Sequence, residues 1–519
     1  MEPQPDGVAT HPNVFRILRA DRLLLAGVCL LSVAVLAPLA QTPILPLNDL
    51  PNHVAMSALL RHMWSGDAVA AFHFELQPHP APYWLTYLLL LAASYLFPTL
   101  TGAKVVVALC LLSVPLSTMR LLLALGRSPR LALWSFALCW DFSLSMGFIA
   151  YTLSVSLGFV FLARCIESLD AKPRRSSLLV TVLLGLLLAQ SHAHAAGGAA
   201  VLVFAVAVLE FRRRWVLLRG LALSAVPVLG LVPWILLGAR SEGRARPETI
   251  GHWPDVGERM SRMFHYTVDL VNGQTERNVL GLAFAFLLLA PLALAAWTGG
   301  GGNAGRPRAL YLAAWVLYVV MPASLVWPFF QLLIHERHAT MILLLGLALP
   351  AASFAGRQAW RLIPGAVVAL AVAAVITVQC ARFSTEVEPF LAVVDAVPPS
   401  SRIAWVLWQQ RTPESVRDTI PQVPAYLLAE KGGYSPYLFQ TPNLPLRYRA
   451  DRHRPHPHWH HPDQFTLAQH GIHYDYVLVQ GKQLDRFQQG LIVAPEGRFS
   501  ASVVLESGIW RMYQMRREP

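Results

Sequence analysis

Long apolar runs, separated by short clusters of arginine, dominate the sequence between residues 23 and 380. An uninterrupted run of about 18 or more apolar residues is long enough to cross a membrane as a helix. Hydrophobic residues make up 55% of the chain and charged residues 14%, whereas a soluble globular domain carries about 25% charged residues. These proportions argue against a large water-soluble enzyme and predict an all-α polytopic membrane bundle.

The apolar runs predict about eleven transmembrane helices. They lie at 23–40, 103–119, 131–147, 149–163, 177–191, 195–209, 215–237, 279–297, 309–330, 339–355 and 362–380. The formal net charge is +12, but the basic residues flank these runs in short clusters instead of forming one continuous face. The positive-inside rule accounts for this distribution, so we expect membrane lipids as partners and no nucleic acid.

The segment Tyr83–Phe97 decides the topology because it changes the parity of every later span. If it stays outside as a juxtamembrane helix, the short arginine-bearing loops that follow all become cytoplasmic, as the positive-inside rule requires. If it crosses, all of them lie on the wrong side. The predicted topology therefore has the N-terminus in the cytoplasm and three larger regions outside, at 41–102, 238–278 and 381–519.

The last of these regions is polar and predicts a small α/β domain, after a membrane module at 1–380 that includes the other two outside loops. Four strand-like runs are Arg402–Leu407, Tyr474–Val479, Val503–Glu506 and Trp510–Gln514, and helical stretches lie near Pro424–Lys431 and Lys482–Gln489. Mixed strands and helices in one polar stretch are typical of such a domain.

Asp49 lies in the motif Leu-Asn-Asp-Leu-Pro-Asn-His-Val-Ala (47–55), directly after the first predicted span. Desolvation at a membrane boundary favours the neutral carboxyl group, which raises its pKa toward that of a useful base. An alternative interpretation is structural, because aspartate before a helix that begins with Pro51 is a common capping signal. The two roles are compatible.

Two further motifs, together with this arrangement of spans and loops, resemble a known family. The segment Pro80–Leu88 (Pro-Ala-Pro-Tyr-Trp-Leu-Thr-Tyr-Leu) resembles a juxtamembrane Pro-Pro-Leu-Tyr-Tyr element, and 336–338 (Glu-Arg-His) resembles a Glu-Arg-Phe element. Both occur in bacterial members of the GT-C superfamily of integral-membrane glycosyltransferases. Protein O-mannosyltransferases and the aminoarabinose transferase of lipid A belong to that superfamily.

The resemblance implies an inverting glycosyltransferase at the outer face of a bacterial cytoplasmic (inner) membrane. It would move a sugar from a polyprenyl-phosphate-linked donor to a glycan, lipid or protein acceptor. Asp49 matches the catalytic aspartate of the family and would be the general base, with Asn52, His53 and Tyr83 in the two motifs as predicted substrate-binding residues. Many members carry a second acidic residue where this chain has Leu50. A divalent metal ion held by Asp49 and His53 stays open as a cofactor, but no metal ligand is assigned.

The phosphate of such a donor requires cations. Arg337 and His338 lie where a predicted span meets the outer surface, and the second outside loop offers Arg259, Arg262 and Arg277. Guanidinium groups match phosphate oxygens bidentately. Arg337 is the preferred phosphate ligand, because its position at the start of a span fixes the depth of its side chain in the membrane. The alternative for each arginine is an interfacial contact with anionic lipid.

A histidine tract in the C-terminal region comprises His453, His456, His458, His460 and His461. Its Pro-interrupted sequence lacks regular metal-ligand spacing, so we predict a solvated loop that is dispensable for the chemistry. Two other functions compete with sugar transfer from a lipid donor: a polytopic transporter or flippase, and a lipid-linked glycan polymerase or ligase. No inverted repeat with broken helices, which would favour transport, is visible.

Overall fold

The computed structural model describes most of the chain. The described residues are 13–77, 81–170, 173–242, 250–298, 304–326, 331–352, 354, 356–413, 418–439, 444–459, 461–466, 469–481 and 499–517. Pro80, His460 and the predicted helix at Lys482–Gln489 lie outside these ranges.

Most of the described residues are helical. The α-helices are α1 (Val14–Ala20), α2 (Arg22–Ala40), α3 (Leu50–Trp64), α4 (Ala68–His73), α5 (Trp84–Leu96), α6 (Thr99–Ala124), α7 (Phe142–Ser145), α8 (Ile149–Asp170), α9 (Arg175–Ser191), α10 (Ala193–Leu209), α11 (Arg214–Glu242), α12 (Val256–Ser261), α13 (Gln274–Thr298), α14 (Gly305–Val320), α15 (Ile334–Arg337), α16 (Ala339–Gly346), α17 (Ile363–Ala396) and α18 (Ala425–Lys431). Short 3₁₀ helices occupy Pro129–Leu138, Gly356–Leu362, Pro462–Gln464 and Gly471–His473.

The strands are short outside the C-terminal region. They are β1 (Phe74–Leu76), β2 (Gly251–His252), β3 (Ser324–Leu325), β4 (Gln331–Leu332), β5 (Ile403–Leu407), β6 (Leu446–Tyr448), β7 (Tyr476–Gln480), β8 (Phe499–Ser507) and β9 (Trp510–Arg517). Strands β2, β3 and β4 form a small antiparallel sheet.

Six helical segments in the described part of the chain are long and apolar enough to cross a membrane. They are Arg22–Ala40, Thr99–Ala124, Ile149–Asp170, Arg214–Leu237, Gln274–Thr298 and Gly356–Ala396. Each overlaps a predicted span, so the predicted helical, polytopic membrane architecture is confirmed. Helices α9 and α10 are apolar but shorter, with 17 residues each, and the count of eleven spans stays a prediction.

Three predicted spans are not continuous helices. In the run at 309–330, α14 ends at Val320 and the short strand β3 follows at Ser324–Leu325. In the run at 131–147, a 3₁₀ helix ends at Leu138, and Asp141 then starts the new helix α7 by accepting a hydrogen bond from the Leu144 amide at 2.9 Å. In the run at 339–355, α16 ends at Gly346, shortly before Pro350. Proline has no amide hydrogen to donate and its ring clashes with the preceding turn. Local helix signals therefore interrupt the apolar runs at 131–147 and 339–355.

The C-terminal region contains the predicted α/β fold. Its four-stranded sheet has the order β5-β7-β9-β8, with β5 and β7 parallel and the other pairs antiparallel. The four strands cover the four predicted strand-like runs, and α18 covers the helical stretch near Pro424–Lys431. Gly508, with φ at +58°, makes the turn of the β8–β9 hairpin.

The C-terminal region packs directly over the segment that follows the first span. Strand β1 pairs antiparallel with β6, and α18 packs against α3. Helix α17 runs without interruption from Ile363 to Ala396 and so passes through the predicted domain boundary at residue 380. The division into 1–380 and 381–519 stays a prediction, while the two parts share an extensive contact around the start of α3.

Candidate functional site

Main-chain hydrogen bonds hold Asp49 in position. The amides of Asn48 and Asp49 donate hydrogen bonds of 3.0 Å to the carbonyls of Ser145 and Met146. Gly147 makes this close approach feasible, since a Cβ there would lie 2.6 Å from the Asp49 nitrogen, and its φ of +78° favours glycine. The backbone on both sides of the Asp49 side chain is therefore closely constrained.

The Asp49 carboxylate is free of the capping role. It occupies the N-cap position of α3, but its side chain makes no capping hydrogen bond within the described structure. Its Oδ1 accepts a hydrogen bond of 3.0 Å from the Asn48 amide group. Burial raises the pKa of Asp49 to about 7, against the opposing positive charge of Arg337. The carboxyl group is thus poised to gain or lose a proton near neutral pH.

Arg337 is the cation whose charge reaches Asp49. Its side chain is only 7% exposed, and the guanidinium carbon lies 3.9 Å from the ring centroid of Phe148. The Tyr151 hydroxyl donates a hydrogen bond of 3.0 Å to the Arg337 carbonyl, which fixes the segment against α8. Arginine stays protonated at any ordinary pH, so this site holds a permanent buried charge.

Arg337 belongs to a run of four consecutive residues that each carry a buried polar atom without a hydrogen-bond partner among the described residues. These atoms are His335 Nε2, Glu336 Oε2, Arg337 Nε and His338 Nδ1. Glu336 Oε2 does lie 3.0 Å from His335 Nδ1 as an ion-pair contact. More than about 90% of buried polar groups in proteins are hydrogen-bonded. Such a concentration of unsatisfied groups is typical of a site that a ligand or solvent completes.

His192 reveals an excess of hydrogen-bond donors beside Arg337. Its Nδ1 accepts from the His194 amide at 3.2 Å, which in a neutral ring places the proton on Nε2. That Nε2 lies 2.9 Å from Arg337 Nη1 and 3.1 Å from the Tyr83 hydroxyl. Burial and the charge of Arg337 hold the pKa of His192 well below its usual value, so the ring stays neutral. An anion would supply the acceptor that these converging donors need.

Tyr83 and His53 extend this cluster toward the start of α3. Tyr83 has the left-handed φ of +89° at the N-cap of α5, a conformation that costs a non-glycine residue energy and is often found at functional sites. Its ring stacks on His53 at a centroid distance of 6.3 Å. His53 Nδ1 lies 2.6 Å from the Tyr87 hydroxyl, and burial together with Arg337 lowers the pKa of His53 to about 4. The His53 ring is therefore neutral at physiological pH.

His338 lies on the other side of Arg337, at the start of α16. It is buried, and its ring meets the Tyr151 ring edge-on at 6.3 Å. Burial and the neighbouring Arg337 lower the pKa of His338 to about 4. His338 thus adds a neutral imidazole to the cluster, and its predicted role in substrate binding stays a prediction.

Asn52 connects the site to the C-terminal region. Its Nδ2 donates to Gln422 Oε1, and its Oδ1 accepts from the Phe439 amide at 3.2 Å. The Phe439 ring also lies edge-on to His53 at 6.1 Å. Both polar ends of the Asn52 side chain therefore hold the C-terminal region against α3, and its predicted contact with substrate stays a prediction.

In the loop predicted to lie outside at 238–278, the candidate arginines have partners within the protein. The Arg259 side chain is 1% exposed and donates to the carbonyls of Pro254, Tyr318 and Met321 at 2.9, 2.9 and 2.6 Å. The last two carbonyls lie at the C-terminal end of α14. Arg259 therefore fastens this loop to that helix end.

Carboxylates neutralise the other two candidate arginines of this loop. Arg262 is 57% exposed and lies 3.2 Å from Glu258, and Arg277 is 44% exposed and pairs with both oxygens of Asp269 at 2.9 Å. Each side chain already has an acidic partner, so their predicted role at a phosphate has less support than that of Arg337.

The histidine tract is partly ordered by its own contacts. His453 Nε2 and His456 Nε2 lie 3.0 Å apart, and His456 Nδ1 lies 2.9 Å from the Pro457 carbonyl. His453 Nδ1 lies 3.3 Å from the Tyr434 hydroxyl. In the described part of the chain no three histidine, cysteine or acidic side chains are placed to hold a metal ion. The dispensability of this tract stays a prediction.

The structure brings Asp49, His53, Tyr83, Arg337 and His338 into one cluster. Sequence reasoning did not include His192 in the site, although this imidazole joins Tyr83 to Arg337. A signal was present, because His192 and His194 occupy a short loop, predicted to lie outside, that has no lysine or arginine. Gly147 was also missed, and nothing in the local sequence marks it.

Comparison with known proteins supports the fold. No protein-family model matches the sequence, and no curated protein matches it either. The crystal structure of ArnT from Cupriavidus metallidurans bound to undecaprenyl phosphate is similar with a TM-score of 0.54, at 14% identity over 95% of this chain and 98% of ArnT. The apo structure of the same ArnT gives a TM-score of 0.53 with the same identity and coverage. The fold predicted from the resemblance to GT-C membrane glycosyltransferases is therefore confirmed: this chain has the fold of ArnT.

Proposed function

We propose that this protein is a membrane glycosyltransferase that moves a sugar from a polyprenyl-phosphate donor to the hydroxyl of an extracytoplasmic acceptor. The observation that carries the proposal is a carboxyl group of pKa about 7 that lies within electrostatic range of a buried arginine, which itself faces surplus donors. The likeness to ArnT, which was crystallised with undecaprenyl phosphate, adds support.

In the proposed reaction the acceptor oxygen attacks the anomeric carbon of the sugar. The bond between that carbon and the donor phosphate oxygen breaks, and its electron pair leaves on the phosphate. The acceptor proton passes to the Asp49 carboxylate. A single displacement from the face opposite the phosphate inverts the configuration at the anomeric carbon. The products are the glycosylated acceptor and polyprenyl phosphate.

Asp49 suits the role of base because its pKa matches the working pH. General-base catalysis is most efficient when the pKa of the base lies near the operating pH, and burial raises the pKa of Asp49 to about 7. The carboxylate makes no capping hydrogen bond in the described structure, so the accessible lone pairs are not committed to the helix. The constraint at Gly147 holds its backbone in place.

Arg337 suits the role of phosphate ligand because its guanidinium has one protein acceptor among the described residues, the Leu332 carbonyl at 3.2 Å. His192 Nε2 and the Tyr83 hydroxyl both lie close to the same point as Arg337 Nη1. A phosphate placed there would accept hydrogen bonds from these groups and satisfy them together. Preorganised donors aimed at developing negative charge stabilise a transition state without reorganisation. The same cluster would therefore bind the donor and stabilise the departing phosphate.

The proposal is tested by binding of undecaprenyl phosphate and of undecaprenol, which share the chain and differ in the phosphate. We expect the purified protein to bind the phosphate form about tenfold or more tightly, since a charge-assisted contact is worth more than about 1.4 kcal/mol. In Arg337→Ala the preference should vanish. Equal affinity of the wild-type protein for both lipids would contradict a donor phosphate site.

A further inference from the structure

An amphipathic groove lies between α1, α5, α6 and α8. Its volume is about 690 Å³, which is within the range of small-molecule sites. Its apolar wall includes Leu116 of α6 together with Leu153 and Leu157 of α8. Serine hydroxyls in the wall are mostly satisfied locally, as where Ser113 donates to Ser156 at 2.9 Å.

Two arginines close one end of the groove. Arg120 of α6 and Arg164 of α8 both line it, and both interact with one carboxylate, that of Glu167, at 2.5 and 3.5 Å. Arg120 Nη1 is buried and has no hydrogen-bond partner among the described residues. Among the described residues these two guanidinium groups share one carboxylate, so this part of the groove has a positive charge and an unsatisfied donor.

This cationic end is far from the proposed donor phosphate. Tyr151, which contacts the Arg337 segment, and Arg164 lie on the same helix α8. At 1.5 Å per residue they are separated by about 20 Å along the helix axis. One phosphate cannot contact both Arg337 and Arg164. An anion held at Arg164 therefore belongs to a second molecule.

We infer that this groove binds an anionic glycerophospholipid, with an acyl chain along Leu153 and Leu157 and the headgroup phosphate between Arg120 and Arg164. An apolar wall with cations at one end matches the shape of a lipid that carries charge at one end. Arginine near a membrane surface attracts anionic lipid by about 1 kcal/mol per residue. In the predicted topology the headgroup lies at the cytoplasmic face, opposite Asp49. This inference does not depend on the proposed sugar transfer.

The inference is tested by native mass spectrometry of the full chain with phosphatidylglycerol and phosphatidylcholine that carry identical acyl chains. We expect the first bound phosphatidylglycerol to be held about fivefold or more tightly than phosphatidylcholine, since one net arginine charge at the surface is worth about 1 kcal/mol. Arg164→Gln should remove most of that difference. Leu157→Trp should block binding of both lipids in the groove.

Matched controls separate the groove from general lipid contact. Arg175→Gln removes an exposed charge from the start of the neighbouring α9, and Leu183→Trp enlarges an exposed leucine of that helix. Both should leave the preference unchanged. Because a substitution in the groove can impair folding, the melting temperature gives a second measurement: phosphatidylglycerol should raise it in the wild-type protein and less in Arg164→Gln.

Three results would overturn the inference. The first is equal binding of the two lipids, and the second is an equal loss of preference in the control variants. The third is a loss of undecaprenyl phosphate binding in Leu157→Trp while phosphatidylglycerol still binds, which would make the groove part of the donor site. Arg337→Ala should leave phosphatidylglycerol binding intact, so failure of the proposed function and failure of this inference are distinguishable.

Discussion

The Arg337 segment and the second outside loop each bury an arginine, and they do so in opposite ways. Arg259 donates to three backbone carbonyls, while among the described residues Arg337 donates to the Leu332 carbonyl, faces the His192 nitrogen and packs on the Phe148 ring. A buried charge must be compensated by partners. Arg259 finds them inside the protein, so it stabilises the fold. The unsatisfied surroundings of Arg337 indicate a partner that comes from outside.

This difference shows that burial alone does not identify a functional arginine. Both side chains are at most 7% exposed, and both lie near the same helix end, since α14 leads through β3 and β4 to α15. The balance of donors and acceptors around each guanidinium distinguishes them. By the same test Asp269, which pairs with Arg277, is a structural residue, while the absence of a capping bond from Asp49 in the described structure supports its proposed chemical role.

The largest expected effect separates the two carboxylates. Asp49→Asn should lower the transfer rate about 10²- to 10⁴-fold, because it removes the base while keeping the shape of the side chain. The measurement is release of polyprenyl phosphate from a lipid-linked sugar donor. Asp269→Asn is the matched control: Asp269 is buried and pairs with Arg277, so its loss should lower stability and change the rate by no more than about threefold. Turnover close to wild type in Asp49→Asn would refute its role as base.

The second effect separates the two arginines. Arg337→Ala should weaken donor binding by about 2–5 kcal/mol, roughly 30-fold or more, because it leaves the phosphate without its charge partner. Arg337→Lys should restore only part of the affinity, since lysine lacks the planar fork. Arg259→Ala should instead lower the melting temperature, because three carbonyls lose their donor. The folded fraction of the Arg259→Ala protein should bind the donor as tightly as wild type. A strong loss of donor affinity in this variant would show that Arg259 and Arg337 do not differ in role.

The third effect concerns the position of Asp49. In Gly147→Ala the added Cβ would lie 2.5 Å from the Leu50 nitrogen and 2.6 Å from the Asp49 nitrogen. We expect kcat to fall by at least about tenfold, because an error of 1 Å in a catalytic group can cost up to 10²-fold. Donor affinity should fall less than kcat, because the Arg337 segment is also held by Tyr151 and by the Leu332 carbonyl. Gly197→Ala, where a Cβ meets nothing within 4 Å, is the control.

The fourth effect is the pH profile. The base must be deprotonated, so a pKa of about 7 for Asp49 means that the rate rises with pH and reaches a plateau above neutrality. At pH 6 the rate should be roughly tenfold below the plateau. His53 has a pKa of about 4 and is neutral in this range, so its titration does not change the rate between pH 5 and 8. A rate that stays constant down to pH 5 would show that the working base is a different group.

The smallest effect concerns the exposed arginines of the second outside loop. Arg262→Ala removes an exposed partner of Glu258, and such pairs contribute about 0–1 kcal/mol. Donor affinity and turnover should therefore remain within about twofold of wild type. A loss comparable to that of Arg337→Ala would move the phosphate site to this loop and reverse the comparison.

Much of the fold could be predicted from the sequence because hydropathy is a local signal. Long apolar runs predict helices wherever no breaker intervenes, and the strand-like runs after residue 400 became strands for the same local reason. The runs at 131–147 and 339–355 contain Asp141, Gly147 and Pro350, whose local preferences interrupt the helix. Hydropathy averages over such residues, and therefore it overestimated the continuity of both runs.

The site was only partly predictable because its contacts are distant in sequence. Asp49 and Arg337 stood out through their motifs. The contact between His192 and Arg337, however, joins residues 145 positions apart, and no pattern in a single sequence indicates such a pairing. The same holds for Gly147, whose importance comes from the approach of a different segment.

The contact between the C-terminal region and α3 also determines the order in which the molecule is completed. Asn52 binds Gln422, 370 residues later, and β1 pairs with β6 at the opposite end of the chain. Contacts of such long range form only after the intervening chain has been made. During synthesis the ribosome releases Asp49 early and Gln422 late, so the packing of the C-terminal region over α3 is completed only when translation is nearly finished. A truncated chain that still enters the membrane would lack this last packing step.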